Sequence, residues 1–96
     1  MKTIFVDDEE RATKLFEAYT KELNEIELVG CFNEGIEAIK YVEKHAVDLA
    51  VLDVEMHGIN GIELGQKLKS IHPDILLIYI TGYEGYAIDA FRLHAA

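Results

Sequence analysis

Ninety-six residues carry nine Lys and Arg against eighteen Asp and Glu, a formal net charge of −9, and half of them are hydrophobic. That length allows one domain, and the acidic balance excludes a surface built to hold a phosphate backbone, so nucleic acid is not a direct partner of this segment. The lone Cys31 forbids an internal disulfide, MKTIFVDDEE has no secretory pattern, and no apolar run is long enough to span a bilayer; a reducing, cytoplasmic location fits best.

The first apolar run covers residues 3–6 and stops at Asp7, the pattern of a strand buried on both faces. Ala12, Leu15, Phe16, Tyr19 and Leu23 follow at spacings of three and four, which predicts an amphipathic helix with that stripe inward. A second strand is expected over 27–32, with Cys31 buried in it as a packing residue rather than a reactive one. A second helix follows over 35–44, with Ile36, Ile39 and Val42 among its apolar positions.

Residues 49–52 form another uninterrupted apolar run, ending at Asp53, and Gly58 and Gly61 mark the loop after it. Ile62, Leu64, Leu68 and Ile71 predict a third helix, Pro73 and Asp74 turn the chain, and 75–80 is the longest apolar run. A last helix is expected over 86–93. Strands apolar on both faces that alternate with helices imply a doubly wound α/β domain with a parallel sheet. Ligands in such sheets bind outside the carboxyl ends of the strands, near the point where strand order reverses.

The residues at those ends are Asp7 and Asp8, Asp53 to Glu55, and Thr81. If the first and third strands are neighbours, three carboxylates share one crevice and repel one another. A hard divalent cation relieves that repulsion, and Mg²⁺, which takes oxygen ligands and keeps several waters, suits one or two carboxylates plus a phosphate oxygen. A carboxylate can also attack phosphorus to give an acyl phosphate when positive charge offsets the charge on the transferring group.

Structural alternatives stand beside these readings. Asp7 and Asp8 could cap the first helix, and Thr81 could be a strand-end or cap residue. His57 reads as a loop residue, since no other histidine stands at ligand spacing, and His45, His72 and His94 read as surface or terminal residues. Tyr83 and Tyr86 offer an aromatic contact surface or packing for the last helix.

The segments IFVDDE, LDVEMHGINGIEL and IYITGYEGYAIDAF resemble the receiver domains of response regulators, whose pattern has an acidic pair after strand one, a phosphoacceptor aspartate in D-x-x-M-P-x-x-[DN]-G, and a Ser/Thr after strand four. The likeness spans essentially the whole chain, and EM-x-G-x-NGIEL and GYEGYAIDAF are similar to receivers that precede a LytTR-type DNA-binding domain.

The resemblance implies a flavodoxin-like fold of strand order 2-1-3-4-5. It implies Asp53 as phosphoacceptor, Mg²⁺ held directly by Asp8, Asp53 and the Glu55 carbonyl and through water by Asp7, and Thr81 as the switch hydroxyl. The partners it implies are a histidine kinase and a C-terminal effector domain that binds DNA. The function implied is a phosphorylation-gated signalling module rather than an enzyme.

Two positions depart from the pattern: His57 stands where proline is common, and Gly82 where alanine is common. The chain also reaches Ala96 before the fifth strand with its lysine and the fifth helix, so no catalytic lysine is expected within 1–96 and the domain reads as incomplete at its C-terminus. An apolar fourth strand at the sheet edge is then expected to be covered by another chain, as a homodimer or swapped oligomer, or by a further segment.

Two other functions remain in view. One is a receiver-like interaction or dimerisation module that does not cycle phosphate. The other is a phosphohydrolase or flavin-binding relative of the same architecture; it is disfavoured because Asp7 is followed two residues later by Glu9 rather than a second aspartate, and because DDEE at a helix start repels phosphate.

Overall fold

A computed structural model describes residues 1–80. Their elements alternate: β1 (Lys2–Val6), α1 (Glu10–Thr20), β2 (Glu27–Phe32), α2 (Gly35–Lys44), β3 (Leu49–Asp53), α3 (Gly61–Ile71) and β4 (Leu76–Ile80). The strands form one sheet in the order β2-β1-β3-β4, every pairing parallel. Parallel neighbours cannot be joined by a tight hairpin, and the three helices supply the long crossovers they require. The doubly wound α/β class and the order 2-1-3-4 are as expected.

Alternation along the central strands divides the core in two. Ile4 and Val6 of β1, Ala50 and Leu52 of β3 and Leu77 of β4 pack with Ala38 and Val42 of α2 and Leu64 and Leu68 of α3. Phe5, Leu49, Val51 and Ile80 point the other way and pack with Phe16 of α1. There the Phe5 and Phe16 rings stack at 4.3 Å between centroids, 7° from parallel. Each large apolar side chain buried in this way contributes roughly 1.5–3 kcal/mol, and the central strands β1 and β3 supply six of them: Ile4, Phe5, Val6, Leu49, Val51 and Leu52.

Strand bounds differ from expectation by a residue: β1 begins at Lys2, and β4 begins at Leu76 because Ile75, though buried, still belongs to the turn, its N–H donating to the His72 carbonyl at 3.0 Å. The inward face of α1 also differs. Leu15 is 40% exposed, and Leu23 lies beyond the helix end, while Thr13, Phe16 and Thr20 are buried. The two threonine hydroxyls can occupy that face because each donates to a carbonyl of its own helix, Thr13 to Glu10 and Thr20 to Phe16.

Cys31 is half-buried rather than fully buried, since β2 is an outer strand of the sheet among the described residues. Burial, with the charge of Glu17 nearby, nevertheless pushes its thiol up to about 11, which keeps it protonated and unreactive at neutral pH. His72 is not a bystander at the surface: its Nε2 lies 2.9 Å from the Val42 carbonyl and ties the end of α3 to the end of α2. Thr81, Gly82, Tyr83, Tyr86, the helix expected over 86–93 and His94 lie outside the described residues.

Candidate functional site

Strand register sets the site. Val6 pairs with Leu52, so the next residues along these two parallel strands, Asp7 and Asp53, arrive side by side where the strands end. Backbone bonds beyond the strands hold both positions. Asp7 N–H donates to the Phe32 carbonyl at 3.0 Å, the Asn33 side-chain Nδ2 donates to the Asp7 carbonyl at 2.9 Å, and Val54 N–H donates to the Ile80 carbonyl at 2.9 Å. These are the carboxyl ends of β1 and β3, where open α/β sheets take their ligands.

Asp7, Asp8 and Asp53 each present a carboxylate oxygen, and the three oxygens lie within 4.8 Å of one another. Asp7 and Asp53 are nearly buried, at 8% and 6% exposure, while Asp8 is half-exposed. The juxtaposition expected of the first and third strands is therefore present. The fourth member of the expected constellation, Thr81, is outside the described residues.

Asp53 is where the electrostatic cost concentrates. Burial first, and then the charge of Asp7 with a smaller contribution from Asp8 and a side-chain hydrogen bond to Asp7, push its carboxyl up to about 7. Opposing this, the Glu55 N–H donates to Asp53 Oδ1 at 3.1 Å and favours the charged form. For Asp8 burial also acts upward, but hydrogen bonds from His57 and the charge of its ring prevail, and the net shift is downward.

Helix capping accounts for only part of the acidic pair. Asp7 Oδ1 accepts the Glu9 N–H at 2.9 Å, a turn that leads into α1, whose N-cap residue Glu9 makes no side-chain cap. Asp8 caps nothing. Its Oδ2 instead accepts the His57 N–H at 3.1 Å and lies 2.8 Å from His57 Nδ1. From sequence His57 reads as a loop residue with no other histidine at ligand spacing, and its bond to Asp8 is not visible there; the one signal is its standing at a position where the receiver pattern commonly has proline.

The β3–α3 loop is fixed at its far end by a capping box. Asn60 accepts the Glu63 N–H at 2.9 Å, and the Glu63 side chain accepts the Asn60 N–H in return. Gly58 takes φ of 80°, a left-handed conformation that suits glycine. The loop thereby returns close to the end of β3, with Gly61 N–H donating to the Val54 carbonyl at 3.1 Å.

The donor set fits a magnesium ion. All three side chains offer hard oxygen ligands, and oxygens sharing one Mg²⁺ stand roughly 3 to 4 Å apart, given metal–oxygen bonds of about 2.0–2.1 Å. The mutual repulsion of the three carboxylates, visible in Asp53, is the kind that a divalent cation removes. Among the described residues no helix is long and apolar enough to cross a membrane.

Comparison with known proteins gives a consistent picture. Transcriptional regulatory protein YpdB of Escherichia coli strain K12 is 30% identical over 95 residues, which are 99% of this chain and 39% of YpdB. The chain thus spans about two fifths of the length of the curated relatives it matches. The response regulatory domain of MrkE from Klebsiella pneumoniae superposes with a TM-score of 0.77 at 27% identity, covering 96% of this chain and 75% of that one. Response regulator protein TrrA from Thermotoga maritima, solved in complex with Mg(2+)-BeF, gives 0.76 at 31% identity, covering 92% of this chain and 75% of that one. The family model for the response regulator receiver domain matches residues 3–96, and this chain belongs to that family.

Proposed function

We propose that this chain is a phosphoacceptor switch of two-component signalling, in which Asp53 receives a phosphoryl group from a histidine kinase. The observation that carries the reading is the meeting of Asp7, Asp8 and Asp53 within 4.8 Å at the carboxyl ends of neighbouring parallel strands. An Asp53 carboxylate oxygen forms the bond to phosphorus as the bond from phosphorus to the donor's imidazole nitrogen breaks, giving an aspartyl phosphate and a free histidine.

The residues that would hold Mg²⁺ are Asp8 and Asp53 directly, with the Glu55 carbonyl, and Asp7 through water. When bound, the ion offsets the negative charge gathered on the carboxylates and the arriving phosphoryl group. Asp8, held below its usual range, is ionised and ready to bind a cation. Asp53, pushed up to about 7 by burial and by its acidic neighbours, becomes a better nucleophile once their charge is neutralised. A relative of known structure whose ligand is Mg(2+)-BeF lends support to the metal.

Thr81 is assigned the switch hydroxyl that follows the phosphoryl group, on its position immediately after β4. Phosphorylation would shift a pre-existing equilibrium between two arrangements, read out by an effector domain. Relatives named as transcriptional regulators make a DNA-binding effector in the parent protein the favoured output, and the receiver itself is assigned to the cytoplasm. The chain is in this reading a signalling domain that catalyses only its own phosphorylation and its loss.

The test is intact mass of the full-length parent protein after incubation with acetyl phosphate and Mg²⁺. Wild type is expected to gain one phosphoryl group and Asp53→Asn none. No gain on wild type, or an equal gain on the variant, would contradict the reading.

A further inference from the structure

Asp8 and His57 are 49 residues apart in sequence, yet one oxygen of the Asp8 carboxylate takes two bonds from that single residue, the backbone N–H at 3.1 Å and ring Nδ1 at 2.8 Å, the latter with Nδ1 carrying the proton. The His57 side chain is otherwise fully exposed, so burial does not explain its pose. Both bonds end on Oδ2 and leave Oδ1 with its lone pairs uncommitted to His57. A carboxylate with one oxygen fixed by two donors has far fewer orientations than a free one, and partners of this kind hold metal-binding carboxylates in place.

We propose that His57 is the positioning residue for Asp8, clamping one carboxylate oxygen so that the other is presented to the cation. This rests on the metal-binding reading of the acidic cluster. Among the described residues the His57 ring nitrogen Nδ1 engages the Asp8 carboxylate, so its assigned part is to orient that ligand rather than to be one. The backbone donor matters as well as the ring: a proline at position 57 has neither an N–H nor a side-chain donor. His57→Pro removes both bonds, His57→Ala removes one, and His57→Asn keeps a donor nitrogen the same number of bonds from Cβ as Nδ1.

The experiment is calorimetric titration of the full chain with MgCl₂ for wild type and the three variants, with thermal melting of each in EDTA as a control for folding. His57→Ala is expected to weaken Mg²⁺ binding about tenfold, the scale typical of a lost partner behind a metal ligand. His57→Pro is expected to weaken it further, and His57→Asn to restore it toward wild type. Because the side chain is exposed, His57→Ala and His57→Asn should melt as wild type does, which keeps the comparison decisive even if His57→Pro folds poorly.

Unchanged or tighter binding in His57→Ala overturns the proposal, the latter by making His57 a competitor of the cation. Equal weakening in His57→Ala and His57→Asn also overturns it, because the donor is then irrelevant. If wild type binds no Mg²⁺ at all, the metal-binding reading fails first and this inference falls with it.

Discussion

Gly61, the first residue of α3, lies against the main chain of Asp53: a methyl group at its Cα would run into the Asp53 carbonyl and come within 2.9 Å of the Val54 Cα. Backbone atoms cannot swing aside as a side-chain end can, so α3 approaches the end of β3 only because residue 61 has no side chain. The same contact places the aspartate proposed as phosphoacceptor. Gly61→Ala is therefore expected to cost roughly 1–3 kcal/mol of stability, as other overpacking substitutions do, and to weaken Mg²⁺ binding by displacing Asp53. Urea unfolding with and without Mg²⁺ measures both effects; an unchanged midpoint would show that the helix can retreat freely.

Stability of the metal-free protein should depend on pH in a direction unusual for a carboxylate. The folded state holds the Asp53 proton up to about 7, whereas the unfolded chain releases it near 3.8. Between those values the folded state binds more protons, so stability is highest at the acid end and falls as pH rises through the window, by roughly 2 to 4 kcal/mol. Asp8 acts oppositely, its lowered carboxyl losing its contribution only below 3.8, outside that window. Asp53→Asn should remove the decline and be more stable than wild type at neutral pH in EDTA. Urea melts at about pH 5 and about pH 8 decide it; wild-type stability that rises across the range would contradict the assignment.

Asn60 gives a check on the loop that carries His57. Asn60→Ala breaks the capping box with Glu63 and should cost about 1 kcal/mol. The cap bonds run between Asn60 and Glu63 and touch neither Asp53 nor Val54, whereas Gly61 lies directly against the Asp53 main chain, so the Mg²⁺ midpoint should move less than in Gly61→Ala. A larger effect on metal binding than on stability would mean that the cap, rather than the Gly61 contact, sets the site.

Most of the architecture is written in local pattern. The second strand at 27–32 and the second helix at 35–44 were readable from apolar runs and their punctuation, and the structure has them at those bounds. Strands apolar on both faces implied a parallel sheet, but that β1 and β3 are neighbours, which brings Asp7 beside Asp53, came from the receiver resemblance rather than from the pattern. Which face of a helix turns inward was less legible. Leu15, Ile36 and Ile62 sit at helical spacing but are exposed, while Thr13 and Thr20 are buried, because a hydroxyl satisfied by its own helix packs as an apolar group does. Partners distant in sequence were not legible at all. No periodicity pairs Asp8 with His57, or His72 with the Val42 carbonyl, since each contact exists only once the sheet and loops are assembled.

The most direct measurement is an NMR titration of the full chain with MgCl₂, following backbone amides. Saturable shifts concentrated at Asp7, Asp8, Asp53 and Glu55, and abolished in Asp53→Asn, are what the account predicts. Shifts that fail to saturate, or that gather on exposed glutamates away from the strand ends instead, would show that these three aspartates form no magnesium site.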